Sequence, residues 1–536
     1  MFRYNHIGYS PSAPKVFVMD NPQEETFSVQ TIDESVTWKE VFTGDLRKSG
    51  DLFLGDISPI TAPGDYRICC GEEKSYNFVV KKEPYALLER LITTFYTWQR
   101  CGSPKGWAGV CHQKMDHLRG KGTEKELDMR GGYHQSGDLR CWNDGCSSAL
   151  YGYLRYAEES SPVWEDGIFE EELRWGLDYF RKTVSPEGYI YDCQFVPLGW
   201  GARDYYDTPG PLSVHYNICR LLARGARYFR EKDPVYAGEK LFLAERVWRY
   251  VQTSSAFDTP YVPSVKDLPR GTQGARFYWQ NRKNCTGMDC ASAAAAWDLF
   301  LATGREEYFR RTVEDMDKVL AHQITKGEAC GLFRDRMDNE KLAFHDCSYG
   351  HNHSGMVFLA DLILSGQDSP RKEAWKEALE RYCDMIVREF SLFPLSSGMP
   401  VPYGKNFLND MPKAPPFTDS PIPLVHHRNP STSRAASLAL ILASANGIFG
   451  KKEYAFYAQH CLDFLLGCNP LAASAVTGVG FRHPIHNVYG QFFPSTPQIP
   501  GGVIHYLPGE YDLPVAGLFL RALTKFRSTA GTEEKK

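Results

Sequence analysis

No stretch of the 536-residue chain approaches the roughly 18 consecutive apolar residues of a membrane-crossing helix. Nothing near Met1 combines a basic start, an apolar run and a small-residue cleavage site, so no secretory leader is read there and a cytoplasmic protein is expected. Fifteen cysteines, an odd number scattered along a large chain, do not make a disulfide framework and fit reduced thiols. There is no low-complexity tract, and a net charge of -4 leaves no excess of either sign. Lys and Arg are spread out instead of clustered, which disfavours a nucleic-acid groove or an anionic membrane as partner. What is present is 43% hydrophobic and 13% aromatic residues, enough for a large core. The length fits a small domain joined to a larger one.

The richest segment runs from Arg100 to Asp138. It contains Cys101, Cys111, His112 and His134 just before a Gly-Asp turn that ends at Asp138. Two thiols and two imidazoles are the ligand set of a closed tetrahedral zinc site. With four protein ligands such a site has no open position for water, so a structural Zn2+ that braces the turn is expected, with no organic cofactor.

Residues 1–82 alternate apolar and polar in short runs such as Lys15-Val-Phe-Val-Met19 and Tyr76-Asn-Phe-Val-Val80, separated by Pro, Gly and Asp, which is a β-sandwich pattern. From Tyr85 onward the spacing is helical, with segments at 87–99, 149–158, 212–231, 291–303, 354–364, 433–445 and 454–466. Long Gly-, Pro- and aromatic-rich connections at 192–211, 257–290, 391–432 and 468–510 lie between them, and connections of that length in a compact domain usually carry function.

Five motifs, in order, resemble glycoside hydrolase family 9 in its cellulase-like branch with an N-terminal immunoglobulin-like domain. They are Tyr4-Asn-His-Ile-Gly-Tyr9 followed by Pro11, Phe95-Tyr-Thr-Trp-Gln-Arg-Cys-Gly102, Gly131-Gly-Tyr-His-Gln-Ser-Gly-Asp138, Leu466-Gly-Cys-Asn-Pro470 with Thr477-Gly-Val-Gly480, and Gly509-Glu-Tyr-Asp-Leu-Pro514. The resemblance implies an immunoglobulin-like β-sandwich over 1–82 and an all-α (α/α)6-barrel catalytic domain over 86–528. It also implies hydrolysis of a β-glycosidic bond with inversion, Glu510 matching the general acid and Asp138 the general base. In such chemistry the acid protonates the leaving oxygen while the base takes a proton from a water on the opposite face. The Cys101, Cys111-His112, His134 order is likewise similar to a structural zinc site of some members.

One position departs from the pattern, because Gln135 stands where the family turn has its first Asp. Gln accepts a hydrogen bond through its carbonyl but carries no charge. Asp138 acting alone, a site retuned for another sugar, and a non-catalytic carbohydrate-binding protein are the three readings this leaves. Substrate contacts are expected from Trp142 and Tyr511, by stacking on a sugar face, and from His426, His427, Arg428, Arg482 and His486, by bonds to hydroxyls or a carboxylate. The expected substrate is a short β-linked oligosaccharide of gluco- or glucosamine type. For an amino sugar, Asp144 or Asp512 could face the ammonium group, and Arg428 with Arg482 would suit a uronic acid. Sugar, linkage, chain end and oligomeric state are open.

Overall fold

The computed structural model describes residues 1–120, 123–137, 139–160, 167–195, 204–258, 283, 285–336, 342–343, 354–392, 401–402, 418–420, 424–425, 431–483, 498–505 and 509–527. The first strands are β1 (Phe2–Arg3), β2 (Val16–Met19), β3 (Thr26–Ile32), β4 (Trp38–Asp45), β5 (Arg47–Ser49), β6 (Leu52–Asp56), β7 (Gly64–Cys70), β8 (Glu73–Lys74) and β9 (Phe78–Val80). They form two sheets, ordered β1-β2-β6-β5 and β4-β3-β7-β8, with β9 pairing β7. Alternation explains the sandwich: on β3, Phe27 and Val29 are buried while Ser28 and Gln30 are half-exposed, and the buried set packs with Phe17, Ile68 and Phe78.

The rest is mostly helical: α1 (Ala86–Trp98), α2 (Asn143–Glu159), α3 (Ile168–Lys182), α4 (Leu212–Phe229), α5 (Pro234–Thr253), α6 (Thr286–Thr303), α7 (Glu306–Ala321), α8 (Ser354–Leu364), α9 (Lys372–Leu392), α10 (Thr432–Phe449), α11 (Lys452–Leu465) and α12 (Leu513–Thr524). The even-numbered helices touch in a closed ring, α2-α4-α6-α8-α10-α12 and back to α2, with α3, α5, α7, α9 and α11 packed outside. This is the (α/α)6 barrel. Inner helices are buried on most sides, as in the run Ala291–Ala296 of α6, because each is enclosed by neighbours. The ring closes where Gly152 of α2 meets Gly517 of α12: a Cβ on Gly152 would lie 2.7 Å from the Gly517 backbone, so no side chain fits there.

The connections are unequal. Those from an inner helix to the next outer one are short, at 160–167, 230–233, 304–305, 365–371 and 450–451. Those leading into an inner helix are long, at 99–142, 183–211, 254–285, 322–353, 393–431 and 466–512. Short turns make each pair antiparallel, so the inner helices run the same way and each is entered at its N-terminal end from a long connection. The connections add strands to the expected fold. The barrel domain also carries a four-stranded sheet, with β10 (Asp116–Gly120), β11 (Thr123–Leu127), β12 (Tyr191–Phe195) and β13 (Asp204–Pro209) in the order β11-β10-β13-β12, β10 and β13 running parallel. It is built from two of the connections and was not visible in the helical spacing.

The sandwich is tied to the barrel through its opening motif. Asn5 donates to Asp463 at 2.9 Å, the His6 N–H donates to the Leu466 carbonyl at 2.9 Å, and Tyr85 OH donates to the Gly8 carbonyl at 3.2 Å. Among the described residues no helix is long and apolar enough to cross a membrane.

Candidate functional site

The site lies at the N-terminal mouth of the barrel, where two segments meet. The first, 131–140, is laced to the end of α1. Cys101 N–H donates to the Gly132 carbonyl at 2.9 Å, His134 N–H to the Gln99 carbonyl at 2.8 Å, and Gln135 N–H to the Arg140 carbonyl at 2.8 Å, closing the turn. The Gln99 amide reaches the Ser136 carbonyl at 3.0 Å while its oxygen accepts from the Trp107 indole at 2.7 Å. Behind the turn, the buried Arg100 holds the fully buried Glu172 through two bonds of 3.0 and 2.9 Å, and Tyr133 OH donates to the same carboxylate at 2.9 Å. Charge-assisted pairing of this kind keeps both groups satisfied in the core.

Cys101, Cys111, His112 and His134 are all buried, and one ligand atom from each lies within 4.8 Å of the others. The Cys101 and Cys111 sulfurs are 3.8 Å apart. Cys101 Sγ is 3.3 Å from His112 Nδ1, and Cys111 Sγ is 3.3 Å from His134 Nε2. Metal–sulfur bonds of about 2.3 Å and metal–nitrogen bonds of about 2.0–2.1 Å give tetrahedron edges of roughly 3.8 Å and 3.5 Å, so the four residues fit a tetrahedral metal ion. The Cys101 thiol, followed by the two imidazoles, pulls the Cys111 thiol far below its ordinary value against the opposing effect of burial. A thiolate is the form that ligates metal. His112 takes a left-handed backbone, φ 48°, which is the cost of placing adjacent Cys and His side chains on one centre.

The second segment carries Glu510. Ile504 and Tyr511 form an antiparallel bridge, the His505 N–H donates to the Glu510 carbonyl at 2.9 Å, and Asp512 N–H to the Val503 carbonyl at 2.8 Å. Glu510 is half-buried. Asp512 caps α12 by accepting from Val515 N–H at 3.2 Å, while its other oxygen lies 2.5 Å from His505 Nδ1. Thr432, at the start of α10, donates to the Ile504 carbonyl at 2.5 Å. The two segments are joined directly, because Leu513 N–H donates to the Gln135 carbonyl at 3.0 Å.

The Gln135 side chain is buried and its amide oxygen has no hydrogen-bond partner among the described residues. It rests on the first turn of α2, where a Cβ at Gly145 would lie 2.1 Å from that oxygen. Trp142, half-buried, is the N-cap residue of α2 and gives that helix no side-chain cap bond. Asp144, on the same turn, is half-buried and accepts from the Asn217 amide of α4 at 2.8 Å. Burial lifts its carboxyl to about 6, against the Asn217 bond.

Two expected sugar contacts sit elsewhere. Tyr511 is fully buried, its ring 5.3 Å from Phe95 and its OH accepting from Ile499 N–H at 2.7 Å; it belongs to the core and offers no face to a sugar. Arg482 is exposed on the wall of a groove at the seam between sandwich and barrel, with Tyr4, Tyr76 and Phe481. Asp138, His426, His427, Arg428 and His486 lie outside the described residues, although Gly137 and Leu139 bracket the first of them. Sequence reading missed the Arg100–Glu172 clamp and the Asp144–Asn217 bond, because both join residues far apart in sequence and no spacing signals them.

Residues 85–497 match the family model described as glycosyl hydrolase family 9; Glu510 lies beyond that span. The chain is 30% identical over 528 residues to a cellodextrinase of Butyrivibrio fibrisolvens, covering 90% of this chain and 85% of that protein. To endoglucanase 22 of Oryza sativa subsp. japonica it is 22% identical over 395 residues, which are 68% of this chain and 64% of the relative, so the chain spans less than two thirds of that protein's length. Among solved structures, a metagenome-derived family 9 endoglucanase superposes with a TM-score of 0.71 at 18% identity, covering 98% of this chain and 99% of the other. A Zn-binding triple mutant of a family 9 endoglucanase gives 0.70 at 17% identity, covering 97% and 100%. The chain therefore belongs to glycosyl hydrolase family 9 and is a glycoside hydrolase.

Proposed function

We propose that this hydrolase cleaves β-1,4-linked gluco-oligosaccharides with inversion, Glu510 protonating the leaving oxygen and Asp138 taking a proton from the attacking water. The observation that carries it is the Leu513-to-Gln135 hydrogen bond, which fastens the segment of Glu510 to the turn of Asp138 at the mouth of one barrel. An inverting pair needs about 6.5–9.5 Å between carboxyl groups to admit the water. Glu510 is half-buried and stands directly before α12. The named relative that covers most of its own length is a cellodextrinase, which favours short chains.

The Cys101, Cys111, His112 and His134 set would hold Zn2+ in a structural role, fixing the turn without touching the substrate. Gln135, in the place of a second carboxylate, would orient water through its amide oxygen.

The test is product analysis on cellobiose to cellohexaose, with wild type beside Glu510→Gln and Asp138→Asn. Release of glucose or a shorter oligomer with the α-anomer formed first, stopped by either substitution, is the expected result. Retention of the β-anomer overturns inversion. Binding without turnover by the unmutated protein overturns catalysis and leaves a carbohydrate-binding protein.

A further inference from the structure

A small cavity of about 50 Å³, room for one or two waters, lies where α2, α4, α8 and α12 converge, and so on the axis of the barrel. Its lining includes Ser147, Ser148 and Tyr151 of α2 and Asn217 and Arg220 of α4. Positions 144, 148 and 151 are spaced i, i+4, i+7 and share one helical stripe, so Asp144 stands on the axis-facing side of α2, one turn nearer the mouth than Ser148. Asn217 stands one turn above Arg220 on α4 in the same way. The hydrogen bond between Asp144 and Asn217 therefore spans two inner helices at the mouth side of the cavity, in the first turn of α2 and the second of α4. On α12, Pro514, Leu518 and Arg521 repeat the i, i+4, i+7 stripe around the same cavity, and Glu510 lies just before that helix.

We propose that the Asp144–Asn217 pair is the floor of the substrate site and contacts the terminal sugar of an oligosaccharide that enters along the barrel axis. The proposal rests on the reading of the mouth as an oligosaccharide site. A carboxyl beside a primary amide presents acceptors and a donor a few ångströms apart, which matches two neighbouring hydroxyls on a pyranose. Asp144 is half-buried and keeps part of its surface open, as a group facing a concave site does. The Gln135 amide, packed on the neighbouring Gly145, puts a second polar group beside the same turn. The carboxylate that position 135 lacks is thus supplied from the next element, displaced toward the axis and turned to binding instead of to the attacking water. A floor made of side chains on two rigid helices closes the axis and reads chain ends, so it gives an exo-acting or short-chain enzyme.

The experiment is calorimetric titration of cellotriose into Glu510→Gln and into the double variant Glu510→Gln/Asp144→Asn, with melting temperature as a folding control. Loss of a charge-assisted bond corresponds to roughly tenfold to a hundredfold weaker binding, and that loss with an unchanged melting temperature is expected. In the Glu510-intact background, Asp144→Asn is expected to raise KM while kcat changes much less. Asn217→Ala is the second variant, needed where Asp144→Asn does not fold, and is expected to weaken binding to a smaller degree. Binding within about twofold of the parent in the folded variants overturns the proposal and leaves the pair as a brace between helices. Residual hydrolysis by Glu510→Gln counts against the acid assignment alone, since the binding comparison still reads Asp144. Absence of cellotriose binding by the Glu510→Gln parent overturns both readings.

Discussion

The two sides of the mouth are built from different materials. The turn at 131–140 hangs on α1 through backbone bonds and on a buried Cys/His cluster that fits a tetrahedral metal. The segment at 503–513 has no such cluster among its described residues and is held by strand pairing, a helix cap and the close His505–Asp512 contact. The first brace is built from thiols and imidazoles suited to a metal ion; the second is built from backbone pairing and the carboxylate of Asp512. Among the described residues the backbone bond from Leu513 to Gln135 joins the two walls.

The largest effect is expected from the chemistry both walls serve. Glu510→Gln should lower kcat by about 10²–10⁴-fold, the usual worth of a positioned acid, with KM for cellotriose little changed; a decline under tenfold would mean the second wall does not carry the acid. Next comes the brace of the first wall. Cys111→Ser, or prolonged chelation, should remove bound metal, lower the melting temperature by several degrees or more and reduce activity in proportion to metal lost, whereas Asp512→Asn should leave metal content unchanged. Metal content by elemental analysis and melting by calorimetry decide this. If Cys111→Ser loses neither metal nor stability, the walls are not built differently after all.

Asp512→Asn is the matching change on the second wall. Asn caps a helix about as well as Asp, so stability should fall by less than about 1 kcal/mol, while the altered contact with His505 should cost a few-fold in kcat. Gln135→Asp gives the first wall a second carboxylate and is expected to raise kcat by a few-fold at neutral pH, measured by initial rates on cellotriose. The smallest expected effect is Tyr511→Phe, which removes the bond to Ile499 N–H: about 1 kcal/mol of stability, seen as a shift in denaturant midpoint, with no change in KM because the ring is core.

How legible all this was in the sequence follows from what each feature depends on. The cluster was readable because adjacent Cys111 and His112, with Cys101 and His134, form a ligand set whatever the fold around them. The sandwich and the longer helices were readable from their periods. The sheet of β10 to β13 was not, because its strands are short and two of them pair in parallel across 84 or more residues. Tyr511 sat in a motif beside the acid, and position in a motif does not reveal which way an alternating strand turns its side chains: Glu510 is half-buried, and its neighbour faces the core. Arg482 misled for a related reason. The Gly-rich turn before it fixes the chain path, and that path leads to the seam with the sandwich.

The unequal connections also decide how the molecule can be handled. The short turns at 230–233, 304–305, 365–371 and 450–451 stand at the end of the barrel away from Glu510. A resin, a fluorophore or a fused partner attached at those turns would leave the entrance unobstructed, so the enzyme can be tethered by its base and still face its substrate.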